Sequence, residues 1–299
     1  MAAKNKRLSE SSGDMVFQIA VYVLVALILA VVLYPIYFVV IASISNPIAV
    51  FGGKVWLYPQ GMNLHAYRAV WQNKDIWMGY RNSIVYTLCG TGMNVIATMM
   101  GAYALSRKKM FGRGPIMFFI VFTMFFNGGL IPTYLLVNKL GLYNTFWIMM
   151  LMGLVGVYNL IVARTYLQST IDEQLYEASY MDGCSDARAF IHVALPLSAP
   201  IIAVLVLFYA VGHWNQYFNA LIYLRDRSRS PLQIILREIL VMNVSAGESE
   251  VLETDMSKFY VSETLKYAVI IVSSLPMLIL YPFLQRFFIK GIMIGAIKG

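Results

Sequence analysis

The chain has 299 residues, of which 59% are hydrophobic and only 13% are charged. Soluble globular domains carry about 25% charged residues, so this composition excludes an ordinary soluble domain and indicates a protein of the lipid bilayer. The formal net charge of +8 is attributed to groups that flank the membrane and attract anionic lipid. A nucleic-acid-binding protein would need a solvated basic face with reading elements, and the sequence contains none.

Six apolar stretches define the predicted elements, because a helical span needs about 20 such residues. They cover residues 17–44, 82–105, 115–137, 144–163, 197–224 and 267–288. The stretches are continuous and do not alternate, which favours helices over the strands of a barrel. The sequence therefore predicts an all-α membrane protein with six transmembrane helices, an N-terminal tail at residues 1–14 and one membrane domain over residues 15–299.

The first stretch follows Lys4, Lys6 and Arg7, as the apolar core of a secretory signal would. A cleavable signal has an apolar core of about 7–15 residues, whereas residues 15–44 contain no charge, so we expect a retained first span. Lysine and arginine concentrate in cytoplasmic loops, and four of them lie within residues 107–113. This density predicts that both termini are cytoplasmic.

The third stretch is interrupted by two glycines and Pro132 directly after Asn127. Such residues weaken helix hydrogen bonding, and irregular backbone at membrane depth is tolerated only against protein or a water-filled cavity. Candidate pathway residues are the polar and aromatic groups Asn127, Asn159, His213, Trp214, Asn215, Gln216, Tyr217 and Asn219. For the His213–Asn215 group, an aromatic belt with interhelical hydrogen bonds is an equally open interpretation.

The interiors of the six stretches contain no charged residue, and His213 is their only histidine. Proton- or cation-coupled carriers place ionisable groups inside the membrane, so a secondary carrier is the more remote hypothesis. A membrane enzyme is disfavoured because the three histidines are scattered and no H-E-x-x-H motif is present. Cys89 and Cys184 offer neither a disulfide framework nor a metal pair. We therefore predict no catalytic residue and no metal site.

The most specific motif lies in a polar insert, residues 168–196, between the fourth and fifth stretches. Thr170 and Glu173 have the spacing of a capping box that starts a helix. Gly183 can end this helix, and Ser185 can cap a second short helix that Pro196 stops, since proline lacks the N–H that a continuing helix needs. The sequence thus predicts a helix–glycine–helix elbow over residues 168–196, which we call the elbow.

The elbow resembles the cytoplasmic loop of permease subunits of ATP-binding-cassette (ABC) importers. That loop has a Glu-Ala-Ala sequence, a glycine after three more residues, and an Ile-x-Leu-Pro ending; here Ser179 replaces the second alanine and Val193 the isoleucine. The resemblance implies the MetI-like permease fold and a first elbow helix that docks on a partner ATPase. The residues expected to couple are Glu177, Ala178, Ser179, Asp182, Gly183, Leu195 and Pro196. An ordinary solvated charge is the alternative interpretation of Glu177.

A phosphate-binding loop requires G-x-x-x-x-G-K-[ST], and the glycine-rich segments 52–54 and 112–114 lack that spacing. The chain is therefore expected to bind no cofactor. The resemblance places the use of ATP and Mg in the partner ATPase.

Residues 15–299 as a whole resemble the maltose-type carbohydrate permeases, and within them the branch for polysaccharide or oligosaccharide uptake. Segments 126–136, 141–145 and 288–299 carry this resemblance together with Trp214 and Asn215. It implies a bacterial cell-membrane complex with a second, different permease, two ATPase subunits, an extracytoplasmic solute-binding protein and a carbohydrate substrate. The outer loop 225–266 is expected to contact the binding protein, or to be a solvated connector. An ABC permease for a non-sugar solute is the alternative function.

Overall fold

The computed structural model describes residues 12–246 and 264–282, and all regular secondary structure in these ranges is helical. The predicted tail up to residue 11, residues 247–263 of the outer loop and the C-terminal segment after residue 282 lie outside the described residues. The helices up to the elbow are α1 Ser12–Ser43, α2 Pro47–Phe51, α3 His65–Gln72, α4 Lys74–Ser106, α5 Arg113–Phe125, α6 Leu130–Lys139, α7 Ile148–Leu151 and α8 Val157–Thr170.

The elbow contains α9 Glu173–Met181, α10 Asp186–Ala189, a π-helical turn Phe190–Ala194 and α11 Leu195–Leu197. It is followed by α12 Ala199–Trp214, α13 Phe218–Tyr223, a 3₁₀ turn Arg227–Arg229, α14 Leu232–Ala246 and α15 Thr264–Pro282. The predicted loop 225–266 thus contains a helix, which begins at Leu232. The face of α14 that packs against the rest of the chain is apolar, since Leu232, Ile235 and Leu236 are buried.

Three described helices, α1, α4 and α15, are long and apolar enough to cross a membrane. Two further spans are obtained if each sharply bent helix pair counts as one: α5 with α6, bent by 113°, and the Asp186–Leu197 segment with α12, bent by 82°. The predicted break in the third stretch is confirmed between Phe125 and Leu130. One continuous helix over residues 144–163 is wrong, because the backbone turns at Gly153, where φ is +73°. The count of six spans stays a prediction.

The chain divides into two compact units. The first contains α1, α2, α3 and the start of α15, and in it the end of α1 is held by polar contacts such as the 2.9 Å hydrogen bond between the Ser43 and Tyr67 hydroxyls. The second contains α4 to α13, α14 up to Val241 and the end of α15.

Helix α4 is the centre of the second unit because small residues along it admit close neighbours. A Cβ at Gly79 would lie 3.0 Å from the Leu232 backbone, and a Cβ at Gly90 would lie 2.5 Å from the His213 ring. The end of α4, α8, the elbow and the start of α12 share one apolar core. Its buried members are Met99, Ala102, Tyr103, Leu105, Leu160, Ala163, Leu167, Ile171, Tyr176, Ala189, Ala194, Ile201, Leu205 and Tyr209.

Candidate functional site

The first helix of the elbow, α9, begins two residues later than a Thr170 cap would require. Thr170 is the last residue of α8, and the N-cap is Asp172, whose carboxylate accepts a 3.1 Å hydrogen bond from the Gln174 N–H. The capping box at Thr170 is therefore wrong. An aspartate at this position satisfies a free N–H and also places its negative charge at the positive end of the helix dipole.

Gly183 ends α9 as the sequence predicted. Its φ is +77°, its N–H donates to the Tyr180 carbonyl at 3.0 Å, and the next N–H, that of Cys184, donates to the Ser179 carbonyl at 3.0 Å. These two bonds form a Schellman motif, which closes a helix through a left-handed residue. Asp182 is the C-cap residue and donates its backbone N–H to the Ala178 carbonyl. A Cβ at Gly183 would meet no atom within 4 Å, so backbone conformation alone favours glycine there.

The second arm of the elbow differs from the prediction at both ends. Ser185 occupies the N-cap position of α10 but makes no side-chain capping bond. Pro196 does not stop the helix, which continues to Leu197 before the bend at Ser198. The Asp186–Leu197 segment ends one residue after Pro196, so the predicted stop is displaced by a single residue.

Helix α9 presents two different faces. Tyr176 and Ser179 are buried, and the Ser179 hydroxyl donates to the Tyr176 carbonyl at 2.7 Å. On the other side Glu177 and Ala178 are exposed, and the Met181 side chain is 89% exposed. The residues at this spacing form the outer face of the elbow, which combines a carboxylate with apolar side chains and has no covering element within the described residues.

The buried face of α9 is held by Arg107, the C-cap residue of α4. Its guanidinium lies 3.7 Å from the centre of the Tyr176 ring, forms a 3.1 Å ion pair with Glu173, and donates a 3.3 Å hydrogen bond to the Tyr180 hydroxyl. The Arg107 side chain is only 11% exposed. Sequence reasoning noted Arg107 only as one of four charges that indicate membrane topology, and no local spacing connects it with residues so far along the chain.

The Tyr180 hydroxyl continues this network into the second arm, where it donates a 2.6 Å hydrogen bond to Asp186 Oδ1. Burial, followed by the bond to the Asp186 carboxylate, raises the pKa of Tyr180 above its ordinary value of 10.0. The phenol therefore stays protonated and remains a donor. The Tyr103 hydroxyl of α4 donates to the Asp186 backbone carbonyl at 3.2 Å.

The candidate pathway residues fall into two groups. His213 is 7% exposed, and its ring nitrogens lie 3.3 Å from Asn94 Oδ1 and 3.3 Å from Gln216 Oε1. Together with Asn219 these side chains line an open cavity of about 190 Å³ between α4, α12, α13 and the turn after α7. Asn94 was missed by sequence reasoning, although an asparagine inside an apolar stretch is itself a signal.

The other candidates lie outside this cavity. The Trp214 indole N–H donates to the Ser273 carbonyl at 3.1 Å, and the Tyr217 ring lies under the Arg237 guanidinium at 5.3 Å. Asn215 is exposed and bonds the Val211 carbonyl of its own helix. Two candidates lie on other elements: Asn127 accepts the Gly129 N–H at 3.0 Å at the exposed break after α5, and Asn159 is half-buried on α8.

Comparison with known proteins identifies the family. Residues 76–294 match the family model described as "Binding-protein-dependent transport system inner membrane component". The Polygalacturonan/rhamnogalacturonan transport system permease protein YtcP of Bacillus subtilis (strain 168) is 36% identical over 283 residues, covering 95% of this chain and 98% of that protein. Protein LplC of the same organism is 34% identical over 271 residues, covering 90% of each.

A solved structure is similar over nearly the whole chain. A chain of the crystal structure of a bacterial ABC transporter involved in the import of the acidic polysaccharide alginate matches with a TM-score of 0.86 and 34% identity, covering 94% of this chain and 99% of that one. In this family ATP is hydrolysed by a separate ATPase, so the chain is not an enzyme. The chain belongs to the inner membrane components of binding-protein-dependent transport systems and is a multi-pass permease subunit of an ABC importer.

Proposed function

We propose that the chain carries oligosaccharides, forming half of a translocation pathway beside a second, different permease. The support comes from relatives of matching length whose names specify sugar polymers and from the alginate importer with which it shares its fold. Two ATPase subunits and an extracytoplasmic binding protein complete the assembly, and both termini of the chain are cytoplasmic in the bacterial cell membrane. The partner ATPase uses ATP and Mg.

The elbow is the part that receives force from the ATPase. The observation that carries this proposal is the two-faced character of α9: Tyr176 and Ser179 join the core, while Glu177, Ala178 and Met181 are exposed. A helix that is anchored on one face and exposes apolar side chains such as Met181 on the other is suited to dock in a groove on another protein. Gly183 and Asp182 hold the turn, and Leu195 packs the second arm against the core.

The cavity at His213 contributes to the sugar pathway. Sugar hydroxyl groups both donate and accept hydrogen bonds, and the side-chain amides of Asn94, Gln216 and Asn219 can do the same. Asn127, Asn159, Trp214, Asn215 and Tyr217 lie outside this cavity. They are proposed as further pathway residues, with Trp214 the weakest because its indole N–H is already bonded.

The test uses the assembled transporter in lipid vesicles, with its ATPase, second permease and binding protein. Uptake of oligogalacturonides is measured against uptake of malto-oligosaccharides, and accumulation of either supports sugar transport, whereas accumulation of neither contradicts it. We expect Glu177→Lys to abolish uptake while the chain remains inserted in the membrane, because the exposed carboxylate is reversed in charge. Gly183→Pro is expected to do the same by disrupting the turn.

Thr165→Lys is the control, since it introduces the same side chain at an exposed position of α8 three residues before the elbow. It is expected to retain uptake. Retained uptake in Glu177→Lys, at equal amounts of inserted protein, would contradict docking through the outer face of the elbow.

A further inference from the structure

The covalent connections of the elbow are poorly suited to transmit a push along a helix axis. Between α8 and α9, Ile171 and Asp172 are extended, with ψ values of 114° and 140°. Between α11 and α12 the chain bends by 82°. Neither neighbouring helix therefore continues as one rigid helix into α9 or into the second arm, although both are adjacent to them in sequence.

Helix α4 is joined to the elbow by side chains instead. Arg107 contacts Glu173, Tyr176 and Tyr180, which are three and four residues apart and therefore lie on one face of α9. It follows Ser106 directly, so these contacts act at the end of a helix of 33 residues.

The same network reaches both arms of the elbow. Tyr180 belongs to α9 and donates to the Asp186 carboxylate at the start of α10, while Tyr103 of α4 bonds the Asp186 carbonyl. The rings of Tyr103 and Phe190 lie 5.0 Å apart, which adds an apolar contact to the second arm. Rotation of the elbow relative to α4 would break all of these contacts together.

We propose that Arg107 is a positioning residue for coupling, and that Arg107, Glu173, Tyr176, Tyr180 and Asp186 form a latch that makes the elbow and α4 move as one body. This proposal rests on the proposed function, in which the elbow receives force. Force applied to α9 passes to α4 and from there to the His213 cavity, because His213 and Asn94 connect α12 and α4.

The chemistry of the latch requires arginine. A planar guanidinium can stack on one ring, pair with a carboxylate and donate to a hydroxyl at the same time, whereas an ammonium is a point charge without a stacking plane. Lysine at this position retains the charge opposite Glu173 and loses the stack on Tyr176. We therefore expect coupling to be strongest with arginine at position 107, weaker with lysine and weakest with alanine.

The experiment measures oligosaccharide taken up per ATP hydrolysed in vesicles that contain the whole transporter, with oligogalacturonides and malto-oligosaccharides as probes. Tyr180→Phe keeps the ring and removes both hydroxyl bonds, so the ratio is expected to fall roughly 3- to 10-fold, the equivalent of one or two hydrogen bonds. The ratio is expected to fall further in Arg107→Ala. In Arg107→Lys it should lie between the ratios of Arg107→Ala and of the parent chain. The ATPase should co-purify with each variant in unchanged amount.

Two controls separate a latch from a general loss of structure. Tyr22→Phe makes the same change on the exposed α1 and should leave the ratio unchanged. The double variant Arg107→Ala/Tyr180→Phe should lose less than the sum of the two single losses, because both substitutions remove the bond between Arg107 and Tyr180. Additive losses, or an unchanged ratio in both single variants, would overturn the latch.

The failure of the latch is distinguishable from failure of the proposed function. Glu177→Lys is measured in parallel, and loss of its uptake with a normal ratio in the latch variants would reject the latch alone. Retained uptake in Glu177→Lys would reject elbow docking itself.

Discussion

Substitution of Gly183 measures how strongly one backbone angle holds the elbow. The φ of +77° belongs to the left-handed region, where a residue with a side chain pays about 1–2 kcal/mol. A Cβ would meet no atom within 4 Å, so Gly183→Ala adds no steric clash and its whole effect is conformational. A penalty of 1–2 kcal/mol corresponds to a factor of about 5–30 in the population of an opened turn.

Cys184 provides the assay, because it directly follows Gly183 and its N–H takes part in the turn. In the assembled transporter, with the exposed Cys89 replaced by alanine, the labelling rate of the partly buried Cys184 by a maleimide reports opening. We expect Gly183→Ala to raise the rate about 5–30-fold and Gly183→Val to raise it more. Gly183→Asn should raise it least, since asparagine tolerates the left-handed region.

Gly114→Ala is the matched control. Gly114 also has open space around a Cβ, but it lies in α5 without a positive φ, where alanine is the better helix former. Its labelling rate should equal that of the parent chain. If Gly183→Ala labels as slowly as Gly114→Ala, the elbow does not depend on the left-handed turn and the reasoning is refuted.

Two further outcomes are expected. Gly90→Ala should lower the melting temperature of the purified chain, because its Cβ would lie 2.5 Å from the His213 ring and overpacking costs about 1–3 kcal/mol. Gly92→Ala is the control, because a Cβ there would meet no atom within 4 Å, and it should leave the melting temperature unchanged. Equal melting temperatures of the two variants would contradict close packing of α4 against α12. Because the pKa of Tyr180 is raised above 10.0, its contribution to folding is complete below that pH and is lost only as the pH rises through the folded value. Uptake per ATP should therefore show no Tyr180-dependent step between about pH 6 and 9, and a step there that Tyr180→Phe removes would show that the phenol ionises.

Local sequence signals predicted the features that depend on neighbouring residues. The turn at Gly183 follows from the left-handed conformation that glycine adopts without strain, and the break after Phe125 follows from two glycines and Pro132. The cap was misassigned because Thr170 and Asp172 both fit a helix start, and only the packing of α8 shows that Thr170 still belongs to that helix. The predicted stop at Pro196 lies one residue before the observed end at Leu197, because a proline removes an N–H without fixing the residue at which the helix ends.

The amino-acid sequence by itself determined that this protein lies in a membrane, is helical and carries the glycine turn of an importer permease, because hydropathy and backbone preference act through adjacent residues. Tertiary structure decided which charge holds the elbow and which amides meet at His213. Arg107 meets Glu173, and Asn94 meets His213, only after distant helices pack. Such pairs depend on the approach of α4 to its neighbours, and that approach is set by the shared core of the whole unit and not by any local pattern.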